Sequence, residues 1–200
     1  MAYDPKDFYF KKAKAENYAA RSVFKLEEID RRHRILKPAD KVLDLGAAPG
    51  SWSQFASKKV GPKGRVLGID LQPIKLTIPN AVFVTGDMRQ LDLEALLKEY
   101  EFSPPFQVVL SDMAPKTIGV RITDQMRSFE LCMIAIEVAR KYLAPHGHFV
   151  CKLFNSGEFE EVRSELRKYF KQVEVLRPQS TRKESKEVFL IGKDFKDFKA

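Results

Sequence analysis

Along this chain the spacing of hydrophobic residues switches repeatedly between two periods. Lys41–Gly46, Arg65–Asp70, Ala81–Thr85, Phe106–Asp112 and His146–Leu153 are short apolar runs with little polar alternation, which predicts parallel strands covered on both faces. Between them Ser51–Lys59, Leu91–Tyr100, Thr123–Tyr142 and Gly157–Phe170 carry helical spacing. In the third of these, Met126, Phe129, Met133, Ile136 and Ala139 fall three or four residues apart and predict one buried stripe. A further helix is expected over Ala19–Arg34. After the last helix, Gln172–Leu176 and Lys186–Gly192 read as two strands around a polar, basic loop. Alternating βαβ units imply right-handed crossovers. The expectation is a Rossmann-like α/β fold: a mostly parallel seven-stranded sheet, helices on both faces, and an antiparallel edge strand from the final hairpin.

No repeat, low-complexity tract or linker divides the chain, and 200 residues suit one domain over 1–200. Within it, 1–38 reads as a basic arm and helix, 39–193 as the core and 194–200 as a short tail. The N-terminus lacks the apolar run of a signal peptide, and no stretch approaches the roughly 20 apolar residues of a membrane span. Cys132 and Cys151 supply neither a disulfide framework nor a zinc spacing, so a reducing cytoplasm is the expected compartment. His33, His146 and His148 suggest no metal site, and no Ser–His–Asp or Cys–His arrangement is recognisable.

The net charge of +8 is unevenly spread: +4 in residues 1–41, +5 in 163–200, and −1 in between. Basic flanks around a neutral centre suit a polyanion held at both sides, although solubility alone would account for such a charge. Lys6, Lys11, Lys12, Lys14 and Arg21, together with the loop Arg177–Lys183, could follow phosphates. Phe8, Tyr9, Phe10 and Tyr18 interleave with the arm's charges; they could stack on an unpaired base or pin the arm to the domain.

Ligands of a doubly wound sheet bind beyond the carboxyl ends of its strands, which directs attention to Asp44-Leu45-Gly46-Ala47-Ala48-Pro49-Gly50-Ser51-Trp52. Gly46 and Gly50 allow a sharp bend and close approach of backbone to ligand. The G-x-G-x-x-G fingerprint is absent, since Ala48 stands at its second glycine, and there is no phosphate loop. Asp44 ends a buried strand and needs a partner, for which a cationic amino-acid moiety is suited. Asp70 ends the second strand, where a carboxylate can accept both hydroxyls of a ribose. Asp87, after the third, could accept from an adenine amino group or simply fill a turn. Three carboxylates at successive strand ends fit the amino acid, ribose and base of S-adenosylmethionine.

Asp112 and Lys152 end the two neighbouring strands that follow, about 5 Å apart. A lysine within an apolar strand is costly unless paired or functional, so the two form either a structural ion pair or part of a reactive site. Lys25 and Glu187, taken singly, read as surface charges.

The motifs Arg21-Ser22-x-Phe24-Lys25-Leu26, Asp44–Gln54, Ser111-Asp112-Met113-Ala114-Pro115, Lys152-Leu153-Phe154 and Ser185-x-Glu187-Val188 resemble, in order and spacing, the FtsJ/RrmJ (RlmE) family of ribose 2′-O-methyltransferases. The likeness runs from about Tyr18 to Gly192. It implies a Lys–Asp–Lys–Glu tetrad at Lys25, Asp112, Lys152 and Glu187, and contacts to S-adenosylmethionine at Gly50, Trp52, Asp70, Asp87 and Asp112. Ser51 departs from the family, which usually has a second glycine there. The resemblance implies a uridine ribose of large-subunit (23S-type) ribosomal RNA as substrate, within the 50S particle, with no metal, membrane or DNA. A related group acting on the tRNA anticodon loop shares these motifs, and the ending at Ala200 leans toward the ribosomal type. Competing readings are a non-catalytic RNA-binding assembly factor and a small-molecule or protein methyltransferase. In the expected mechanism Lys152 orients or deprotonates the ribose hydroxyl; burial and Lys25 favour its neutral amine, the two carboxylates its charged form.

Overall fold

A computed structural model describes residues 5–154, 157–182 and 184–197. In chain order the elements are α1 (Pro5–Ala15), α2 (Val23–His33), β1 (Lys41–Leu45), α3 (Ser51–Val60), β2 (Arg65–Asp70), β3 (Ala81–Thr85), α4 (Leu93–Glu99), β4 (Phe106–Ser111), α5 (Arg121–Tyr142), β5 (Leu143–Phe154), α6 (Phe159–Tyr169), β6 (Phe170–Leu176) and β7 (Glu187–Phe195). They build one seven-stranded sheet of order β3-β2-β1-β4-β5-β7-β6, parallel except at β7, which runs antiparallel to both its neighbours.

Because side chains alternate across a strand, odd and even positions serve different layers. Leu43 and Leu45 of β1, Val109 of β4 and Cys151 and Leu153 of β5 pack with α4, α5 and α6. Val42, Val108, Leu110, Val150 and Phe189 pack on the opposite face with α1, α2 and α3. The sheet is thus a filling between two helical layers. Strand order reverses between β1 and β4, where a Rossmann-like sheet opens its binding crevice.

The structure differs from the sequence reading in several places. α1 is a helix where only a basic arm was expected. α2 begins at Val23 rather than Ala19, because Asn17 takes a left-handed conformation and residues 17–22 turn onto α3. β7 continues to Phe195, past the expected end of the core at residue 193. In α5 the buried face is Ser128, Cys132, Ala135, Ile136 and Ala139; Phe129 and Met133 are half-buried and Met126 is exposed. Small residues sit innermost because this long helix crosses the sheet closely, which displaces the larger apolar side chains to its flank.

Candidate functional site

Four strand ends carry the candidate residues, and register places their side chains on one face. Asp44 alternates in phase with Val42, Asp70 with Val66, Asp112 with Leu110 and Lys152 with Val150, all of which belong to the α2–α3 layer. Glu187 opposes Phe154 and Phe189 opposes Lys152 across the β5–β7 ladder, so both share that face. The switch point, the strand ends and the pleat therefore converge on one patch of the sheet edge.

Lys152 is 7% exposed and donates from Nζ to Asp112 Oδ1 at 2.7 Å and to the Asp112 carbonyl at 2.5 Å. Lys25 reaches from α2 to Glu187, Nζ to Oε1 2.5 Å, with its ammonium 5.8 Å from the centroid of the Phe189 ring. The tetrad thus consists of two ion pairs, drawn from four elements and lying beside one another. Read singly, Lys25 and Glu187 carry no signal; the motif resemblance groups them with Asp112 and Lys152, and the antiparallel register of β7 supplies the physical reason.

Asp44 is completely buried. Its Oδ2 accepts from the Ser53 hydroxyl at 2.6 Å, while Oδ1 has no partner. Burial pushes its pKa up to about 7; the Ser53 hydrogen bond opposes that rise, and the charges of Asp112 and Asp70 add to it. An orphaned carboxylate oxygen next to the cofactor turn fits an ammonium ligand.

The turn itself bends as expected, with φ of +75° at Gly46 and +104° at Gly50. A Cβ on Gly46 would lie 2.7 Å from the Met113 backbone, and one on Gly50 would lie 2.4 Å from the Leu76 side chain. At Gly46 the close approach that requires glycine is therefore to the chain's own backbone, whereas at Gly50 the near atom is the tip of a movable side chain and the positive φ sets the requirement. Both oxygens of Asp70 accept backbone N–H groups, Oδ2 from Ala48 at 2.9 Å and Oδ1 from Gln72 at 2.8 Å, so this carboxylate also shapes the turn. A carboxylate oxygen can accept a second bond, which leaves capacity for hydroxyls.

Two expected cofactor residues have other partners. Trp52 is buried; its indole N–H donates to the Ser22 carbonyl at 2.9 Å and its ring packs on Phe189. Only its backbone N–H, in the open first turn of α3, is placed to meet a ligand. Both Asp87 oxygens accept from the Arg89 guanidinium, and one also from the Arg89 backbone. That is the turn arrangement rather than the open acceptor for adenine. Ser51 is buried too, its hydroxyl 2.8 Å from that of Ser22.

Of the basic flanks, Arg21 donates to the Ser180 carbonyl and lies over the Tyr9 ring, tying the arm to the β6–β7 loop. Tyr9 and Tyr18 pack against Phe24, whereas Phe8 and Phe10 are exposed. The arm's aromatics thus divide between pinning and display. Lys6 and Lys183 lie outside the residues whose side chains are described. Among the described residues no helix is long and apolar enough to cross a membrane.

The Rossmann-like sheet with an antiparallel β7, an acid-lined glycine turn and a lysine–carboxylate cluster at the switch point define a methyltransferase. Residues 18–195 match the FtsJ-like methyltransferase family, and the chain belongs to it. It is 60% identical over 192 residues to ribosomal RNA large subunit methyltransferase E of Bdellovibrio bacteriovorus, spanning 96% of this chain and 98% of that one. The protein of the same name from Syntrophobacter fumaroxidans is 49% identical, over 96% and 97% of the two chains. Among solved structures, a ribosomal RNA methyltransferase from Plasmodium falciparum superposes with a TM-score of 0.80 at 28% identity, covering 89% of this chain and 98% of that one. Aeropyrum pernix fibrillarin, solved with natively bound S-adenosyl-L-methionine, shares the fold at a TM-score of 0.55 and 17% identity, over 79% and 68%. The cofactor of this chain is S-adenosylmethionine.

Proposed function

We propose that this protein is a cytoplasmic enzyme that methylates the 2′-oxygen of a uridine ribose in large-subunit ribosomal RNA, acting on the 50S particle. The observation that carries the reading is the packing of Lys152–Asp112 and Lys25–Glu187 beside the unpartnered oxygen of Asp44. A pure RNA-binding protein has no use for that cluster, and the names carried by relatives spanning nearly the whole chain agree with the substrate.

When bound, S-adenosylmethionine supplies an activated methyl on a sulfonium. Asp44 would hold the cofactor's ammonium through its unpartnered Oδ1, Asp70 has acceptor capacity for its ribose, and the amides of Ser51 and Trp52 in the first turn of α3 would face it. The remaining task is to bring the acceptor oxygen into line, where positioning dominates the rate. Lys152 does this: two of its N–H groups are directed to Asp112, and its remaining position faces the 2′-oxygen, where the amine accepts the hydroxyl proton. Asp112 fixes that amine, while Lys25, held by Glu187, adds positive charge beside the oxygen as the proton leaves.

The test is label transfer from radiolabelled S-adenosylmethionine to 50S particles, naked ribosomal RNA and bulk tRNA, each from cells lacking the enzyme. Label in particles, mapped to a uridine 2′-oxygen, is expected. Label in tRNA alone would move the protein to the anticodon-loop group, and none in any RNA would overturn the reading.

A further inference from the structure

The first turns of α5 carry an apolar surface that the cofactor site does not use. Ser128 Oγ accepts from the Phe154 backbone N–H at 3.0 Å, so that point of the helix is level with the carboxyl end of β5, two residues beyond Lys152. The crossover helix runs antiparallel to the strands it joins. Residues Arg121–Arg127 therefore project past the sheet edge, by about 10 Å at ~1.5 Å per residue. Residues 113–120 lead to this overhang directly from Asp112. Asp124 fixes the bend, its carboxylate accepting the N–H groups of Ile118 at 3.0 Å and Gly119 at 3.2 Å.

On this overhang Ile118, Val120, Ile122 and Met126 are 55%, 54%, 71% and 53% exposed. Single exposed apolar side chains are ordinary, but four within nine residues, beside a reactive cluster, form a recognition surface. Lys116, Arg121 and Arg127 are exposed among them, and the only acid between residues 113 and 129 is the buried Asp124. That mixture of apolar and cationic groups matches a polyanion with apolar faces. A second copy of the chain fits poorly, because a two-fold contact would set arginines against arginines.

We propose that this overhang is a wedge for RNA: its apolar side chains meet the unpaired bases flanking the target ribose, and Arg121 and Arg127 hold the adjoining phosphates. A stacked nucleotide cannot bring its 2′-oxygen into an edge cleft, and Ile and Met side chains are suited to entering a base step and opening it. The basic arm on α1 and α2 lies over the other face of the sheet, so the RNA is held from both sides of the edge. The inference rests on the ribosomal RNA reading above.

The experiment compares wild type, Ile122→Ser/Met126→Ser and Arg121→Ala/Arg127→Ala in methylation of 50S particles across a salt series, with cofactor affinity measured calorimetrically. All four sites are exposed, so folding is retained. The apolar pair is expected to lose tenfold or more in kcat/KM with the salt slope and cofactor affinity unchanged. The arginine pair is expected to lower the salt slope by about 2. Variants within twofold of wild type, or a wild-type dimer that the apolar pair dissociates, would overturn the wedge. Absence of label with wild type would instead remove the RNA reading itself.

Discussion

Lys152 and Glu187 stand one pleat apart on the same face of the β5–β7 ladder, Lys152 opposite Phe189 and Glu187 opposite Phe154. Diagonal neighbours in such a ladder are about 7–8 Å apart, within reach of one another's partners. The ladder is what brings two separate ion pairs, each of them ordinary in isolation, onto one patch of the sheet.

Lys152→Ala removes the group proposed to face the acceptor oxygen and leaves Asp112 without its ion-pair partner. Single-turnover methylation is expected to slow by about a hundredfold or more, while calorimetric cofactor affinity stays within about threefold. Glu187→Gln keeps the shape and frees Lys25, so a smaller loss, near tenfold, is expected in kcat with little change in KM. Near-normal turnover in Lys152→Ala would remove that residue from the mechanism.

Asp44 sets stability against binding. The folded chain retains its proton up to about pH 7, whereas an ordinary aspartate releases it near 3.8. Between those values the folded state binds more protons than the unfolded one, so this group lowers stability as pH rises. Asp44→Asn is expected to stabilise the apo protein by roughly 2–4 kcal/mol at pH 8 and hardly at all at pH 4. Wild-type cofactor affinity should fall about tenfold per unit below pH 7, and the Asn variant should bind weakly at every pH. Paired chemical denaturation and calorimetry at pH 5 and 8 would show both effects, and a destabilised Asn variant at pH 8 would contradict them.

Trp52→Phe retains a ring against Phe189 but leaves the Ser22 carbonyl without its donor. A loss of about 1–2 kcal/mol is expected in urea unfolding. Since Ser22 opens the helix that carries Lys25, turnover should fall more than cofactor affinity. A variant as stable and active as wild type would show that this hydrogen bond is dispensable.

Cys132 and Cys151 are buried free thiols with sulfurs 3.0 Å apart. The Cys151 hydrogen bond and then burial push the Cys132 thiol well up, so little thiolate forms. Both should resist iodoacetamide in the native protein and react on unfolding, a difference that mass spectrometry reads directly. Rapid alkylation in the native state would show that the α5–β5 contact opens.

Most of the fold was legible because β1, β2, β4 and β5 are buried on both faces and read as continuous apolar runs. The cofactor turn was legible because glycine and aspartate at strand ends have few other uses. Lys25 and Glu187 were legible only through the motif resemblance, not from their spacing or chemistry, since 162 residues separate them and β7's insertion between β5 and β6 is what unites them. Nor could composition distinguish Trp52 facing a ligand from Trp52 bonded to Ser22, or Asp87 open from Asp87 held by Arg89. α5 misled for a physical reason: its apolar stripe continues at Ile122 and Met126 beyond the sheet that buries the rest.

The placement of β7 also bears on when the enzyme can first work. The last strand of the sheet to be synthesised enters between two earlier ones and delivers Glu187 to Lys25, which left the ribosome long before. A nascent chain that has completed β1 to β5 holds the cofactor turn, Asp112 and Lys152, yet lacks the partner that steadies Lys25. The proposed site is therefore complete only in the finished sheet, and a chain arrested before β7 is expected to carry Lys25, Asp112 and Lys152 without the Glu187 that pairs with Lys25.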